Sequence, residues 1–468
     1  MSLLEQMGNI WRIRDLRRKI LITLGLLSIC RVGVYVPLPG IDVTALEALF
    51  KQFGAGAGGQ VLGLVNMFAG GALARGAIFG LGIMPYISAS IIFTLLAQVI
   101  PSLEALRKEG ASGQRKLNQY TRIATVFICV FQGAIVVRGL YAYPGVIPDH
   151  IRESTFGSFK FMLASGFLLM VGTMFLMWLG EQIDAHGIGN GISLIITVNI
   201  LARLPQAIGL LHGQLSTGES QQNAILTLIL LVGLFVLIVM GVVYITTGER
   251  RIPVQQQKHV RGPRVYGGQK HYLPLRVNQA GVMPIIFAQS LLMFPAIIAG
   301  SAASALIAHQ ESFWYKFFAA IRDTVSPSAS ELPVVYVIMY GMLIFLFCYF
   351  WTAVQFNPKE MSENLQNYGS FIPGIRPGRR TADYLEGIMN RVTLAGSFFL
   401  VVIALLPTVI AVKVGVPFSL ASFFGGTGIL IVVGVSLDTV RRVNDHLEMR
   451  RYSGFAAGAG GRRRSRRR

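Results

Sequence analysis

The side chains of this chain that could do chemistry are mainly arginines and lysines. The 468 residues include 42 Lys and Arg against 22 Asp and Glu, which gives a formal net charge of +20. Clusters of this kind attract phosphates, anionic lipids and acidic protein surfaces, so their chemistry is docking rather than bond-making. Five segments of the chain carry most of them: 12–19, 107–122, 250–276, 359–391 and 441–468.

Motifs for catalysis are missing from the sequence. It contains no Gly-Lys-Ser/Thr phosphate loop, no His-Glu-x-x-His pair and no Gly-x-Ser-x-Gly elbow. The seven histidines stand singly, and Cys30, Cys129 and Cys348 lie in three different apolar runs. We therefore predict no enzyme activity, no catalytic residues, no metal and no cofactor, and we expect the three thiols to be buried.

Long apolar runs indicate a membrane protein. Hydrophobic residues make up 53% of the chain and charged residues 14%, whereas soluble domains are about 25% charged. A helix needs about 20 apolar residues to cross a bilayer. We predict ten spans, at 20–38, 77–99, 119–140, 156–179, 188–210, 224–246, 280–308, 333–355, 392–412 and 421–440.

The basic segments set the orientation of these spans. With ten spans, all five segments fall on one side of the membrane, which the positive-inside rule makes the cytoplasmic side. Both termini are then cytoplasmic. We predict a multi-pass protein of the cytoplasmic (inner) membrane.

A short internal repeat divides the spans into two halves. Gly82-Ile-Met-Pro85 lies in the second span, and Gly281-Val-Met-Pro284 lies in the seventh. Each is the second span of a five-span half, and an odd number of spans makes the halves opposite in topology. This pattern predicts an all-α protein with an inverted repeat and a pathway between halves. The predicted parts are a cytoplasmic segment 1–19, the halves 20–210 and 211–440, and a basic tail 441–468.

A glycine-rich stretch precedes the second span. Residues 54–59 are mostly glycine, 60–69 are mostly apolar, and Gly70 and Gly71 follow. The apolar piece is too short to span, and irregular backbone at membrane depth has to lie inside protein or a cavity. We predict a re-entrant or pore-plugging helix between glycine hinges. An ordinary extracytoplasmic loop is an equal alternative.

Two long basic loops, 247–277 and 357–391, are rich in Pro and Gly. These residues hold loops in defined turns, so that arginines are presented outward. We favour docking to an acidic protein surface or to RNA phosphates, such as those of a ribosome at the membrane. Simple positive-inside anchoring is the alternative. For the Arg-rich tail 462–468 we favour a solvated tail attracted to lipid.

Several long motifs resemble those of the SecY family of protein-translocation channels. They occur in order from the first span to the tenth, and the residues beyond about Tyr452 lie outside the resemblance. The motifs are Phe79-Gly-Leu-Gly-Ile-Met-Pro-Tyr-Ile-Ser-Ala-Ser-Ile91, Trp178-Leu-Gly-Glu-Gln-Ile-Asp-Ala-His-Gly-Ile-Gly-Asn-Gly-Ile-Ser193, Leu273-Pro-Leu-Arg-Val-Asn-Gln-Ala-Gly281, Phe371-Ile-Pro-Gly-Ile-Arg-Pro-Gly378 and Phe424-Gly-Gly-Thr427.

The resemblance implies a ten-helix clamshell with an hourglass pore. Such a channel conducts unfolded secretory polypeptides and opens sideways, between spans two and three and spans seven and eight, to release hydrophobic segments into lipid. The implied partners are SecE, the common third subunit SecG, the ATPase SecA, the ribosome, signal sequences with their polypeptide substrates, and membrane lipids.

Site residues follow from the same resemblance. The implied plug covers about 61–74. Two positions depart from the family's pattern: Thr94, with Gln98 one turn later, at the sideways gate, and Asp184, where Ser or Thr is usual. The implied residues are Ile83, Ile87, Ile192, Ile196, Ile286 and Ile431 for a pore ring, Asn66, Phe68, Gly70 and Gly71 for the plug, and Arg261, Arg264 and Arg376 for docking.

A secondary transporter of small solutes is the rival prediction, since inverted repeats and broken helices suit that class too. Ion-coupled transporters usually place ionisable side chains near the bilayer midplane. The ten predicted spans contain few such residues, so we favour the protein-conducting channel.

Overall fold

The computed structural model of the chain is mostly helical. The residues that it describes are 13–53, 63, 66–143, 145–152, 155–206, 209, 221–257, 259–261, 264–266, 270–306, 312–325, 334–414 and 427–464. The chain divides into two compact units. The first comprises Met1–Leu210, Ser301–Ala308 and Val435–Arg468, and the second comprises Leu211–Gly300 and His309–Gly434.

Eight helices form the described part of the first 210 residues. Their apolar side chains meet in a core that includes Leu46, Cys129, Val137, Phe161 and Leu169, all of them buried. The helices are α1 (Arg14–Gly33), α2 (Val43–Phe53), α3 (Met84–Val99), α4 (Pro101–Lys108), α5 (Ala111–Ala142), α6 (Asp149–Arg152), α7 (Thr155–His186) and α8 (Gly191–Leu201).

The approach to α3 is a run of turns, although helix was predicted from residue 77. Gly82 has a left-handed φ of 59°, and Pro85 lies in the first turn of α3, so the helix begins at Met84. The backbone before it passes very close to two helices. A Cβ on Gly33 of α1 would collide with the Phe79 ring, and one on Gly172 of α7 would collide with the Ile78 carbonyl.

The second unit combines long apolar helices with a small sheet. Apolar residues dominate α9, α10 and α12, whereas α11 has no buried residue and exposes Phe313, Trp314 and Phe317. The helices after residue 210 are α9 (Gln221–Thr247), α10 (Met283–Ala305), α11 (Phe313–Val325), α12 (Val334–Gln355), α13 (Pro358–Asn367), α14 (Arg379–Val414) and α15 (Thr427–Arg464); residues 301–305 of α10 and 435–464 of α15 belong to the first unit.

The prediction of an all-α protein was wrong for the two basic loops. Loop 247–277 forms β1 (Glu249–Gln256), β2 (His259–Arg261), β3 (Arg264–Tyr266) and β4 (Lys270–Arg276), and β5 (Ser370–Phe371) comes from the other loop. Strand β1 pairs antiparallel with β4 and β5, and β2 pairs with β3. The missed signal was period-two burial, with Ile252 and Val254 inward between exposed neighbours.

Five described helical segments are long and apolar enough to cross a bilayer, or six if the pair Met84–Val99 and Pro101–Lys108, bent by 99°, counts as one span. Five of these six fall on the predicted spans three, four, seven, eight and nine. The bent pair begins on predicted span two. Helix α8 is shorter than predicted because the chain turns at 202–203, a turn that includes Arg203 and precedes Pro205.

We expect Leu385 of α14 to hold the sheet against its helix. Leu385 is fully buried among Ile252, Leu275 and Ile372. Leu385→Ala should destabilise this region by about 2–5 kcal/mol, since it leaves a cavity that rigid strands cannot fill. Limited proteolysis between β1 and β4, measured against temperature, would detect the loss.

Leu394→Ala is the matched control on α14, because Leu394 is 53% exposed. Equal cleavage profiles for both variants would contradict the role given to Leu385.

Candidate functional site

The segment 66–82 is largely buried within the first unit: residues 66–68 are the end of a helix, residues 69–82 are non-helical, and many of its polar groups are satisfied locally. The side-chain Oδ1 of Asn66 accepts a hydrogen bond from Ala74 N at 3.0 Å. The Gly71 N–H donates to the Asn66 carbonyl at 2.8 Å. Asn66, with 3% of its surface exposed, therefore closes this turn from both its side chain and its backbone.

Residues 76–78 are hydrogen-bonded to residues 36–38, which follow α1. Leu38 N–H donates to the Gly76 carbonyl at 2.7 Å, and Ile78 N–H donates to the Val36 carbonyl at 3.0 Å. This short antiparallel bridge gives the buried backbone of 76–78 the partners that it could not obtain from water.

Two side chains from helices reach the turn from outside. Asn199 of α8 donates from Nδ2 to the Phe68 carbonyl at 3.0 Å, and Arg31 of α1 donates from Nη1 to the Gly70 carbonyl at 3.3 Å. Phe68 itself is 1% exposed. The predicted plug residues thus lie next to one another at a helix end, with Asn66 and Phe68 helical and Gly70 and Gly71 in the turn that follows, while 61–62 and 64–65 lie outside the described residues.

The predicted pore-ring residues of the first unit form two pairs, each on one helix face. Ile83 precedes the first residue of α3, and its carbonyl accepts from Ile87 N–H at 3.2 Å. Ile192 and Ile196 lie one turn apart on α8. Ile83, Ile87 and Ile196 are buried, and Ile192 is half-buried.

The polar residues and glycines of the motif 178–193 form the turn between α7 and α8. Asn190 caps α8, with Oδ1 accepting from Ser193 N at 3.0 Å, and Asp184 Oδ1 accepts from Gly191 N at 2.7 Å. Asp184 therefore binds the first turn of the helix that carries Ile192. A Cβ on Gly191 would collide with the Gly180 carbonyl, so α8 starts in direct backbone contact with α7.

The start of α10 in the second unit has a similar local plan. Asn278 donates from Nδ2 to the Gly281 carbonyl at 3.2 Å, and Gly281 has a φ of 63°. Ile286 is the fourth residue of α10 and Ile431 the fifth residue of α15, and both are buried. A Cβ on Gly434 would lie 2.7 Å from Val282, so within this unit the two helix starts are close neighbours.

The predicted docking arginines occupy turns and strand ends. Arg261 and Arg264 are register partners of β2 and β3, and their side chains lie outside the described part of the chain. Arg376 is exposed, in a turn that the side chains around it fix. Ser362 Oγ donates to the Gly378 carbonyl at 2.7 Å, and Thr381 Oγ1 donates to the Arg376 carbonyl at 3.0 Å.

Thr94 and Gln98, at the predicted sideways gate, differ in their environment. Thr94 Oγ1 donates to the Ser90 carbonyl of its own helix at 2.7 Å, and Gln98 is exposed. The Thr94 hydroxyl is thus satisfied within α3.

The motifs did not identify Arg31 and Asn199, which contact the turn 66–71. Each is a polar side chain within an apolar run that was predicted to span the membrane. Such a residue in a spanning helix is unfavourable without partners and marks a functional site by default. This physical signal was available in the sequence.

The apolar helices, the buried turn and the paired isoleucines define a helical multi-pass membrane protein. Similar folds occur in solved structures: a protein-conducting channel matches with a TM-score of 0.62 at 16% identity, covering 92% of both chains.

A family profile named SecY matches residues 77–440. The protein translocase subunit SecY of Mycobacterium bovis is 43% identical over 94% of this chain and 97% of its own length. The subunit of the same name from Chlamydia trachomatis is 42% identical over 95% and 96%. The chain belongs to the SecY family.

We expect the contact between α7 and α8 to tolerate no side chain at Gly191. Gly191→Ala should lower stability by about 1–3 kcal/mol, because the new methyl group meets backbone that cannot move aside. The thermal unfolding midpoint of the purified chain is the measurement.

Gly166→Ala serves as the control on α7, since a Cβ on Gly166 would point into open space, with no neighbouring atom within 4 Å. It should leave stability unchanged or raise it by about 0.5–1 kcal/mol. A Gly191→Ala midpoint equal to that of Gly166→Ala would refute the backbone contact.

Proposed function

We propose that this chain forms a protein-conducting channel in the cytoplasmic membrane. It translocates unfolded secretory polypeptides and releases hydrophobic segments sideways into the bilayer. The observation that carries the proposal is the buried segment 66–82, a helix end at 66–68 followed by non-helical backbone, which is hydrogen-bonded to α8 in a chain of the SecY family. Irregular backbone at membrane depth is tolerated only inside protein or against a cavity, and a closed channel supplies such a place.

The proposed topology has ten spans in two inverted halves, 20–210 and 211–440, with both termini cytoplasmic. The two Gly-x-Met-Pro motifs support it. In each, the glycine has a φ near 60° and the helix begins at the methionine, Met84 or Met283. The first compact unit holds the chain up to Leu210, which also supports a division at that point.

The proposed plug is the segment 61–74, and the proposed pore ring consists of the six isoleucines. An apolar constriction blocks ions by dewetting and needs no binding site. Isoleucine side chains pack around a passing chain without preference for its sequence. Their burial supports this role for Ile83, Ile87, Ile196, Ile286 and Ile431.

The proposed sideways gate lies between spans two and three and spans seven and eight. It lets each segment of the passing chain choose between water and lipid by transfer free energy. Leu contributes about −0.5 kcal/mol and Arg about +3 kcal/mol at the centre of a spanning helix. A run of about 20 apolar residues therefore leaves through the gate, and a polar segment continues.

The proposed docking sites for SecA and the ribosome are Arg261, Arg264 and Arg376. The exposure of Arg376 on a hydrogen-bonded turn supports presentation to a partner. SecE is the proposed bracing subunit and SecG the proposed third subunit. The chain acts as the channel of this complex and leaves ATP hydrolysis to SecA.

Reconstitution separates this function from transport of small solutes. The purified chain with SecE would be placed in liposomes, with SecA, ATP and a secretory precursor outside. Protease protection of the precursor inside the liposomes is the expected result. Saturable uptake of a small solute without precursor import would favour the transporter.

We expect Ile286→Asn and Ile431→Asn to loosen the closed pore. A polar amide in the ring wets the constriction, so ion leakage should rise, and precursors with defective signal sequences should be exported several-fold more efficiently. Conductance in planar bilayers and export in cells are the two measurements.

Ile298→Asn is the matched control, since Ile298 lies on α10 with 46% of its surface exposed. Unchanged conductance and stringency in both ring variants, or equal changes in the control, would remove these residues from the pore ring.

A further inference from the structure

Arg31 is a half-buried charged residue in the last turn of α1, within a run predicted to span the membrane. An Arg in a spanning segment is unfavourable unless polar partners satisfy it. Its guanidinium Nη1 lies 3.3 Å from the Gly70 carbonyl oxygen and 3.4 Å from Asn199 Oδ1. Both partners are neutral oxygens, so the pairing is of moderate strength.

Asn199 uses both ends of its amide toward the same turn. Its Nδ2 donates to the Phe68 carbonyl at 3.0 Å, and its Oδ1 accepts from Arg31. Asn199 is 1% exposed and lies on α8, three residues after Ile196. A buried amide that lost these partners without gaining water would bear its full desolvation penalty. Asn199 therefore strongly favours the bound turn over a state in which the turn has left and no water has replaced it.

Gly70 completes the arrangement because no other residue fits. Its φ of 67° is left-handed, and a Cβ there would lie 2.6 Å from Arg31 Nη1 and 2.7 Å from Asn199 Oδ1. The glycine lets both side chains reach the backbone of the turn directly.

We propose that Arg31 and Asn199 form a latch that holds the turn 66–71 in its seat and sets how readily it leaves. This inference rests on the proposed channel function. The latch consists of hydrogen bonds that water can replace. It is therefore strong while the seat is dry, and it weakens once water enters with a passing polypeptide, because Arg31 and Asn199 then bond to water.

Hydrogen exchange of the full chain in lipid nanodiscs tests the latch without requiring transport. Asn199→Leu and Arg31→Gln should each make amides 70–74 exchange about tenfold faster or more, as expected when a buried hydrogen bond is lost. Asn199→Asp loses the donor to Phe68 but gives Arg31 a charged partner, so its rate should be intermediate.

Thr197→Val is the matched control on α8. Thr197 is also buried, but its hydroxyl donates to the Ser193 carbonyl of its own helix at 2.8 Å. Amides 70–74 should exchange at the wild-type rate in this variant. Amides of α14 report in every variant whether the chain is folded.

Transport stringency gives a readout that a purely structural role would not move. Asn199→Leu and Arg31→Gln should raise export of precursors with defective signal sequences, and Thr197→Val should not. Unchanged exchange in both latch variants, or an equal rise in Thr197→Val, would overturn the latch. Failure of the unmodified chain to import a precursor would refute the channel function instead, and the exchange comparison would still decide the latch.

Discussion

The need to satisfy buried backbone polar groups is the constraint on which the first unit depends. Helices meet it within themselves, but residues 69–82 form a succession of turns, and the segment 66–82 has to find partners elsewhere. It obtains them from its own turns, from the bridge at 36–38, and from Arg31 and Asn199. Helices α1, α7 and α8 each contact this segment, and these contacts help to position them.

Close approach between segments is the second requirement, and glycine meets it at three points. Gly33 of α1 and Gly172 of α7 leave room for Phe79 and Ile78, and Gly191 starts α8 against Gly180. A larger residue at any of these positions would push a helix away from the turns. Apolar packing then holds the helices, as in the core around Leu46 and Leu169.

Much of the helical framework could be predicted from the sequence, because apolar runs of spanning length have few other uses. The sheet could not, since its strands are short and basic and their period-two burial covers only Ile252, Val254 and Leu275. The glycines on either side of 60–69 predicted a short re-entrant or plugging helix; in the structure residues 66–68 are helical, and Asn66 closes the turn that follows them. Its contacts with Arg31 and Asn199 join residues 39 and 131 positions apart, which no local pattern reports.

A channel needs a closed state that is stable yet easily left, and the two kinds of contact in the first unit suit these demands separately. Replacing apolar contacts between helices by contacts with water is unfavourable. This packing therefore keeps the helices together when the turn 66–71 leaves its place, as proposed. Hydrogen bonds to a buried turn are exchanged for bonds to water almost evenly, so they hold the turn only while water is excluded. The polar residues Arg31 and Asn199 thus occur where a movable segment meets a fixed one, whereas apolar residues dominate the contacts between the helices themselves.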